Sequence, residues 1–183
     1  MGHERNSSRS EKKKVDHRLA NADHVAQYGA ICLRLVPDSD RALEILLITS
    51  RDTGRWVIPK GWGTAKKKSY EIAKQEAWEE AGVKGRVWKK ALGSYHYEKR
   101  VEGGGAVQAR VRVHLIMVSR IEEDFPEKGQ RTLRLFAPDK AAEAVREPEL
   151  KCLLAKVPDQ VAKLLKSHPK HSQTCPTTAE AVP

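Results

Sequence analysis

The chain has 183 residues, of which 39% are hydrophobic and 32% are charged, and its formal net charge is +10. This length suits one domain, and the apolar fraction is high enough for a core, which excludes a wholly disordered chain. No run of about 18 apolar residues could span a bilayer, and the N-terminus lacks the apolar stretch of a signal peptide. We therefore expect a soluble cytoplasmic protein with no membrane partner.

The positive charge belongs to the expected domain and not to the ends of the chain. Residues 1–25 and 167–183 are polar and aperiodic, so we expect disordered tails around a folded domain at residues 26–166. Residues 27–166 alone carry a net charge of +8. A basic folded surface favours polyanionic partners, either phosphorylated small molecules or nucleic acid.

The first half of the chain predicts three strands and a helix. "QYGAICLRLV" and "LEILLITS" flank the turn-like "PDSDR" and are typical of a hairpin, and "RWVIP" is a third short strand. Ser69 as N-cap and Gly82 as C′ residue bracket a helix over 70–81. That helix has a stripe of small residues, which lets it lie close against a sheet. The stripe consists of Ala73, Ala77 and Ala81.

The second half predicts a long hairpin and then helices. "GRVWKKALGSYHYEKRV" and "AVQARVRVHLIMVSRI" read as two long antiparallel strands around the turn "EGGG", and "RTLRLFAP" as a last strand. Helices are expected at 138–146 and at 149–165, where Pro158 interrupts or kinks the second. Strands with one internal helix and late helices indicate an α/β (α+β) layered domain.

Three glutamates of the internal helix carry the first indication of chemistry. Glu76, Glu79 and Glu80 fall within a sector of about 100°, so we expect their carboxylates to converge on one point. Like charges at these spacings repel by roughly 0.2 to 0.5 kcal/mol per pair. Mg²⁺, with Mn²⁺ as a substitute, would relieve that repulsion, because it prefers carboxylate oxygens and bridges to phosphates. The alternative is a solvated acidic face.

The stretch from Trp56 to Val83 resembles the signature of the Nudix hydrolases. In that signature a glycine is followed after five residues by a glutamate, and after seven more by Arg-Glu-aliphatic-x-Glu-Glu-x-Gly-aliphatic. Two positions depart, because Lys67 stands where the first glutamate belongs and Gln75 where the arginine belongs. The matching positions are Gly61, Glu76, Glu79, Glu80, Gly82 and Val83.

The resemblance implies a Nudix fold, with a mixed β-sheet sandwiched between helices, and Mg²⁺-dependent hydrolysis of a diphosphate linkage. Glu76 and Glu80 would bind the metal together with the Lys60 carbonyl, and Glu79 would accept the proton of the attacking water. A carboxylate of the acidic loop at 122–127 is the rival for that last role. Lys67 and Gln75 imply that the loop before the helix is braced differently from the signature. They leave the rate of hydrolysis open.

"TSRDTGRWVIPKGW" and "GQRTLRLFAP" are most similar to the branch that acts on diphosphoinositol polyphosphates and dinucleoside polyphosphates. Residues 51–68 carry a net charge of +5 and residues 69–82 a net charge of −3, an arrangement that suits a highly phosphorylated substrate. The resemblance implies that the phosphate contacts come from Ser50, Arg51, Lys60, Gly61, Arg100 and Arg131.

Two other functions stay open at this stage. One is hydrolysis at a capped or triphosphorylated RNA end, and the other is a catalytically weak module that binds a polyphosphate. A nucleic-acid partner is not favoured, because the sequence has no basic and aromatic stripe of the kind found in dedicated RNA-binding modules. The sequence does not indicate an oligomeric state.

Overall fold

The computed structural model describes residues 25–36, 42–64, 66–100 and 105–167, and the side chains of Arg100 and Ser167 lie outside the described part. The strands are β1 (Val25–Leu35), β2 (Leu43–Thr49), β3 (Trp56–Val57), β4 (Lys60–Trp62), β5 (Val83–Val87), β6 (Gly93–Arg100), β7 (Ala106–Ile121) and β8 (Leu133–Phe136). The helices are α1 (Ser69–Ala81), α2 (Pro138–Ala144), α3 (Pro148–Ala155) and α4 (Val157–Ser167).

The eight strands form one mixed sheet, because β1 and β7 pair in parallel along most of their length. The other edge of β1 pairs antiparallel with β4 near its start and with β2 near its end. β2 in turn pairs antiparallel with β3 and β8. β1 therefore brings β4, which will carry part of the candidate site, into the centre of the sheet.

Helices cover both faces of this sheet. On one face the alanine stripe of α1 is fully buried against strand residues such as Ala30 and Cys32. On the other face α2, α3 and α4 bury side chains such as Leu150, Leu154 and Val161. The predicted mixed sheet between helices is confirmed. Within the described ranges, no helix is long and apolar enough to cross a membrane.

The predicted long strand that begins at Gly85 is wrong, because the chain forms β5 and β6 in its place. β7 is 16 residues long, and one of its edges pairs with β6 at its start and with β5 at its end. The residues between β5 and β6 connect the two strands along the same edge of β7. They stay in contact with β7, because the Trp88 N–H donates to the Leu115 carbonyl at 2.9 Å. Strand β4 is not among the strands predicted from the sequence, and its pairing with β1 defines it.

The start of α1 differs from expectation, whereas its end agrees with it. Lys68 and not Ser69 is the N-cap of α1, and the Ser69 hydroxyl instead lies 3.1 Å from Nε2 of buried His114. Gly82 ends α1 in the left-handed conformation, as predicted. The expected helix over 149–165 is interrupted at Lys156, between α3 and α4, and Pro158 lies in the first turn of α4. The predicted tails at residues 1–25 and 167–183 lie outside the described residues, except that Val25 begins β1 and Ser167 ends α4.

Ala77→Leu tests the close approach of α1 to the sheet. The Ala77 side chain is fully buried, so three added carbons must displace neighbouring strands, and we expect a loss of about 1 to 3 kcal/mol in the free energy of unfolding. Ala155→Leu, at an exposed position of α3, is the matched control and should change stability by less than about 0.5 kcal/mol. Equal effects of the two substitutions in urea unfolding would contradict this packing.

Candidate active site

The candidate site forms where α1 packs on β4. Gly61 pairs with Tyr28 of β1, and a Cβ placed on Gly61 would lie 2.1 Å from a carboxylate oxygen of Glu76. The carboxylate of Glu76 therefore occupies the space that any other side chain at position 61 would fill. This contact gives the first glycine of the signature a physical reason.

Glu80 lies one turn further along α1 and binds the same strand. Its Oε2 accepts the Lys60 backbone N–H at 2.9 Å, and its Oε1 accepts a hydrogen bond from the guanidinium of Arg131. Only 7% of Glu80 is exposed. Burial raises the pKa of the Glu80 carboxyl, and the charges of Lys60 and Arg131 oppose that rise.

Arg131 connects this helix to the loop that precedes β8. Its side chain is 6% exposed, and besides Glu80 it donates to Glu127 Oε2 at 3.0 Å and to the Thr49 carbonyl at 3.0 Å. In this arrangement Arg131 is a counter-ion for two carboxylates, where the sequence predicted a phosphate contact. Glu127 also donates its N–H to the Glu79 carbonyl at 3.0 Å, so one member of the acidic loop does reach the site.

The two residues that depart from the signature are bonded to each other. Lys67 Nζ donates to Gln75 Oε1 at 2.6 Å, and Gln75 Nε2 donates to Glu79 Oε1 at 2.7 Å. A chain of two hydrogen bonds therefore runs from the loop before α1 to the third glutamate. The sequence predicted a different brace at these positions, and these two bonds are the contacts that could provide it.

The three glutamates do not converge on one point as expected. Within the described ranges, no three Asp, Glu, His or Cys side chains surround a position that could hold a metal ion. Glu76 and Glu80 both lie against the Lys60–Gly61 segment of β4, whereas Gln75 draws Glu79 towards the loop. The site is thus a pair of adjacent carboxylates with the third held beside it.

Cations line the opposite side of β4. Lys60 Nζ lies 5.3 Å from the centre of the Tyr97 ring, and the Arg55 guanidinium lies 5.8 Å from the same ring. Arg55 is also paired with the carboxylate of Glu147, which is mostly buried. Burial lowers the pKa of Lys60 from its usual 10.5 to about 8, in spite of the opposing charge of Glu80.

The other residues predicted to contact phosphate are Arg51, Ser50 and Arg100, and they lie in different surroundings. Arg51 is 46% exposed and donates to Glu127 Oε1 at 3.2 Å, so it lies beside the carboxylate that also pairs with Arg131. Ser50 stands in the turn before it, where its N–H donates to the Arg55 carbonyl. Arg100 ends β6, with its side chain outside the described part.

Two polar residues near the site were missed from the sequence. Gln27 accepts the Tyr97 hydroxyl at 2.7 Å, and Glu147 pairs with Arg55. Each partner lies 70 or more residues away in the chain, so no local pattern could indicate these contacts.

Comparison with known proteins finds curated relatives and several similar structures. No family model matches the chain. Nudix hydrolase 12, mitochondrial, of Arabidopsis thaliana is 28% identical over 135 residues, which cover 72% of this chain and 64% of that protein. The chain thus spans slightly less than two thirds of that relative.

The similar structures share the fold at low sequence identity. A Caenorhabditis elegans Ap4A hydrolase in a binary complex has a TM-score of 0.54 at 16% identity, over 76% of this chain and 98% of that one. The NUDIX domain of Shewanella oneidensis NrtR complexed with ADP ribose has a TM-score of 0.54 at 12% identity, over 80% of this chain and 97% of that one. MutT of Bacillus halodurans has a TM-score of 0.51 at 19% identity, over 72% and 80% of the two chains.

The mixed sheet between helices, with α1 seated on β4, is therefore the fold of the Nudix proteins. The curated relative and the signature at residues 61–83 make the chain similar to Nudix hydrolases in sequence as well as in fold.

A double-mutant cycle tests the brace of Lys67 and Gln75. If the hydrogen bond links the loop to α1, Lys67→Ala and Gln75→Ala should be coupled by about 0.5 to 1 kcal/mol in urea unfolding. Lys66→Ala, at the exposed neighbouring position, combined with Gln75→Ala is the control and should show no coupling. Equal coupling energies in the two cycles would rule the brace out.

Lys60 should make stability depend on pH in the alkaline range. Between its folded pKa of about 8 and its usual 10.5, the unfolded chain binds more protons than the folded chain, so the free energy of unfolding should rise with pH. Below this window both states are protonated and the contribution is constant.

Lys60→Met should remove this rise, whereas Lys151→Met, at an exposed position of α3, should keep it. Urea unfolding measured from pH 7.5 to about 10.5 provides the comparison. A rise that persists unchanged in Lys60→Met would assign the effect to another group.

Proposed function

We propose that the chain is a divalent-metal-dependent pyrophosphohydrolase that cleaves a diphosphate linkage in a highly phosphorylated small molecule. A dinucleoside polyphosphate or a diphosphoinositol polyphosphate is the favoured substrate. The observation that carries this proposal is the pair of carboxylates of Glu76 and Glu80, which extend from α1 and lie against β4, with the Lys60 side chain on the other side of that strand. Similarity to a curated Nudix hydrolase and to the Nudix fold supports the class of reaction.

The donor set fits a hard divalent cation. Mg²⁺ in phosphate-processing sites is held by one or two carboxylates and keeps several waters, so three converging glutamates are not required. Glu76 and Glu80 supply the carboxylates, and the Lys60 carbonyl is the further donor suggested by the signature. When bound there, the cation would polarise a phosphoryl oxygen and offset its charge.

Glu79 is suited to accept the proton of the attacking water. Gln75 donates to its Oε1 and fixes the side chain beside the other two glutamates, half-buried in the protein. Glu127, the rival base, has its two oxygens bonded to Arg51 and Arg131. Both oxygens of Glu127 are therefore occupied by guanidinium groups, whereas the hydrogen bond from Gln75 engages only Oε1 of Glu79, which favours Glu79.

Cations around the carboxylate pair would bind the phosphates. Arg51 is half-exposed, and Lys60 approaches from the other side of β4. Ser50 and the backbone at Gly61 would complete the contacts, and Arg100 and Arg131 are the further predicted ones. Positioning of the phosphates and neutralisation of their charge supply most of the rate in this class of reaction.

Hydrolysis assays on purified full-length chain test the proposal. The panel comprises Ap4A, Ap5A, a diphosphoinositol polyphosphate, ADP-ribose, ATP and a 5′-triphosphorylated RNA, each with Mg²⁺. We expect turnover of the first three, and a fall in kcat of about 10² to 10⁴ in Glu79→Gln. Glu71→Gln is the control on the same helix, because Glu71 bonds the Lys68 N–H and not the site, and it should keep full activity.

Metal binding supplies a second readout. Mn²⁺ binding followed by electron paramagnetic resonance should weaken at least tenfold in Glu76→Gln and Glu80→Gln, and stay unchanged in Glu71→Gln. If no substrate is hydrolysed faster than by Glu76→Gln, the proposed hydrolase activity is refuted. If polyphosphates then bind with unchanged affinity in Glu79→Gln, the chain is a polyphosphate-binding module instead.

A further inference from the structure

The side of α1 away from the carboxylate pair carries a second polar surface. At 100° per residue, Lys74 and Trp78 follow the alanine stripe on the side opposite to Glu76 and Glu80. Across from them, β5 and the residue after Trp88 contribute Lys84 and Lys89. We call this the basic aromatic surface; it consists of Tyr70, Lys74, Trp78, Lys84 and Lys89.

Cations and aromatic rings alternate on this surface. Lys84 Nζ lies 4.5 Å from the centre of the Trp78 ring, and Lys89 Nζ lies 5.9 Å from the centre of the Tyr70 ring. Both rings are half-buried, and Lys74 and Lys89 are exposed. Tyr70 and Trp78 are separated by two turns of α1, or about 12 Å along its axis.

A shallow depression of about 230 Å³ opens beside Trp78, and it is lined by Glu71, Lys74, Gln75, Trp78, Val83 and Lys84. Glu71 is the acidic residue of this lining, and its carboxylate accepts the Lys68 N–H at 2.9 Å. The depression therefore offers an aromatic face between two lysines.

Protection of an edge strand does not account for all of these residues. β5 is the last strand on its side of the sheet, and lysines on such a strand prevent edge-to-edge association. That role needs charge but no aromatic ring. Two half-buried rings at the surface, each beside a cation, suit a partner that has both negative charge and flat apolar faces.

We propose that the basic aromatic surface binds single-stranded nucleic acid. Phosphates would contact the lysines, and bases would stack on the rings of Trp78 and Tyr70, which is the combination that such binding uses. This inference is independent of the proposed hydrolase activity, because the surface shares no residue with the carboxylate pair. Duplexes would bind less well, since their bases are already stacked on one another.

Fluorescence anisotropy of the full-length chain tests this surface with labelled oligouridylate and oligothymidylate of about twelve nucleotides, within the usual site size. The probes have 5′-hydroxyl ends, so the candidate active site has no terminal phosphates to bind. We expect Trp78→Ala to weaken binding about tenfold through lost stacking, and Trp78→Phe to restore most of the affinity. Comparison of the two probes shows whether the 2′-hydroxyl contributes.

Two matched double charge reversals show whether binding depends on this surface or only on the net positive charge of the chain. Lys84→Glu with Lys89→Glu should weaken binding more than tenfold and reduce the slope of log Kd against log salt by about 1.4, which corresponds to two phosphate contacts. Lys151→Glu with Lys163→Glu makes the same change of charge at exposed positions of α3 and α4 and should alter Kd less than twofold.

Hydrolysis of Ap4A should be unchanged by Lys84→Glu with Lys89→Glu, so a failure here is distinguishable from a failure of the proposed function. Equal weakening by the two charge reversals would overturn the proposal, and so would unchanged binding in Trp78→Ala. Tighter binding to phosphatidylserine vesicles than to either oligonucleotide would overturn it in favour of a membrane surface.

Discussion

The contact between α1 and β4 is the constraint on which the candidate site depends. The absence of a side chain at Gly61 admits the carboxylate of Glu76, and the backbone N–H of Lys60 holds that of Glu80 one turn away. Two carboxylates at this spacing repel each other, and one of them is buried. Lys60 and Arg131 offset that charge, so the site is assembled only because β4 and the loop before β8 both reach α1.

The chain departs from the Nudix signature at two positions, and in the structure the two side chains are in contact with each other. The signature has a carboxylate and a guanidinium there, whereas this chain has the ammonium of Lys67 and the amide of Gln75, which are hydrogen-bonded to each other. A link between loop and helix is kept, the amide extends it to Glu79, and the net charge at the two positions changes from zero to +1. The change adds positive charge close to where a polyphosphate would lie.

Helix α1 has a different task on each of its sides. Its alanine stripe fixes it to the sheet, one flank carries the carboxylates, and the other flank carries Lys74 and Trp78. Because the alanines permit a close approach, both flanks lie near strands that complete them, β4 on one side and β5 on the other. Substitutions that move the helix should therefore disturb both surfaces at once.

The sequence by itself determined the helix, its alanine stripe, its Gly82 end, the strand-rich order of elements and the identity of the glutamates, because each follows from local periodicity or spacing. Tertiary structure alone decided the rest. Strand β4 exists through pairing with β1, the chain after Gly85 divides because two strands share the edge of β7, and Arg131 becomes a counter-ion by reaching Glu80 across 51 residues. Likewise, the basic aromatic surface joins residues of α1 to lysines beyond it, so no single stretch displays it. Contacts between distant residues depend on how the elements pack, and a local pattern cannot contain that information.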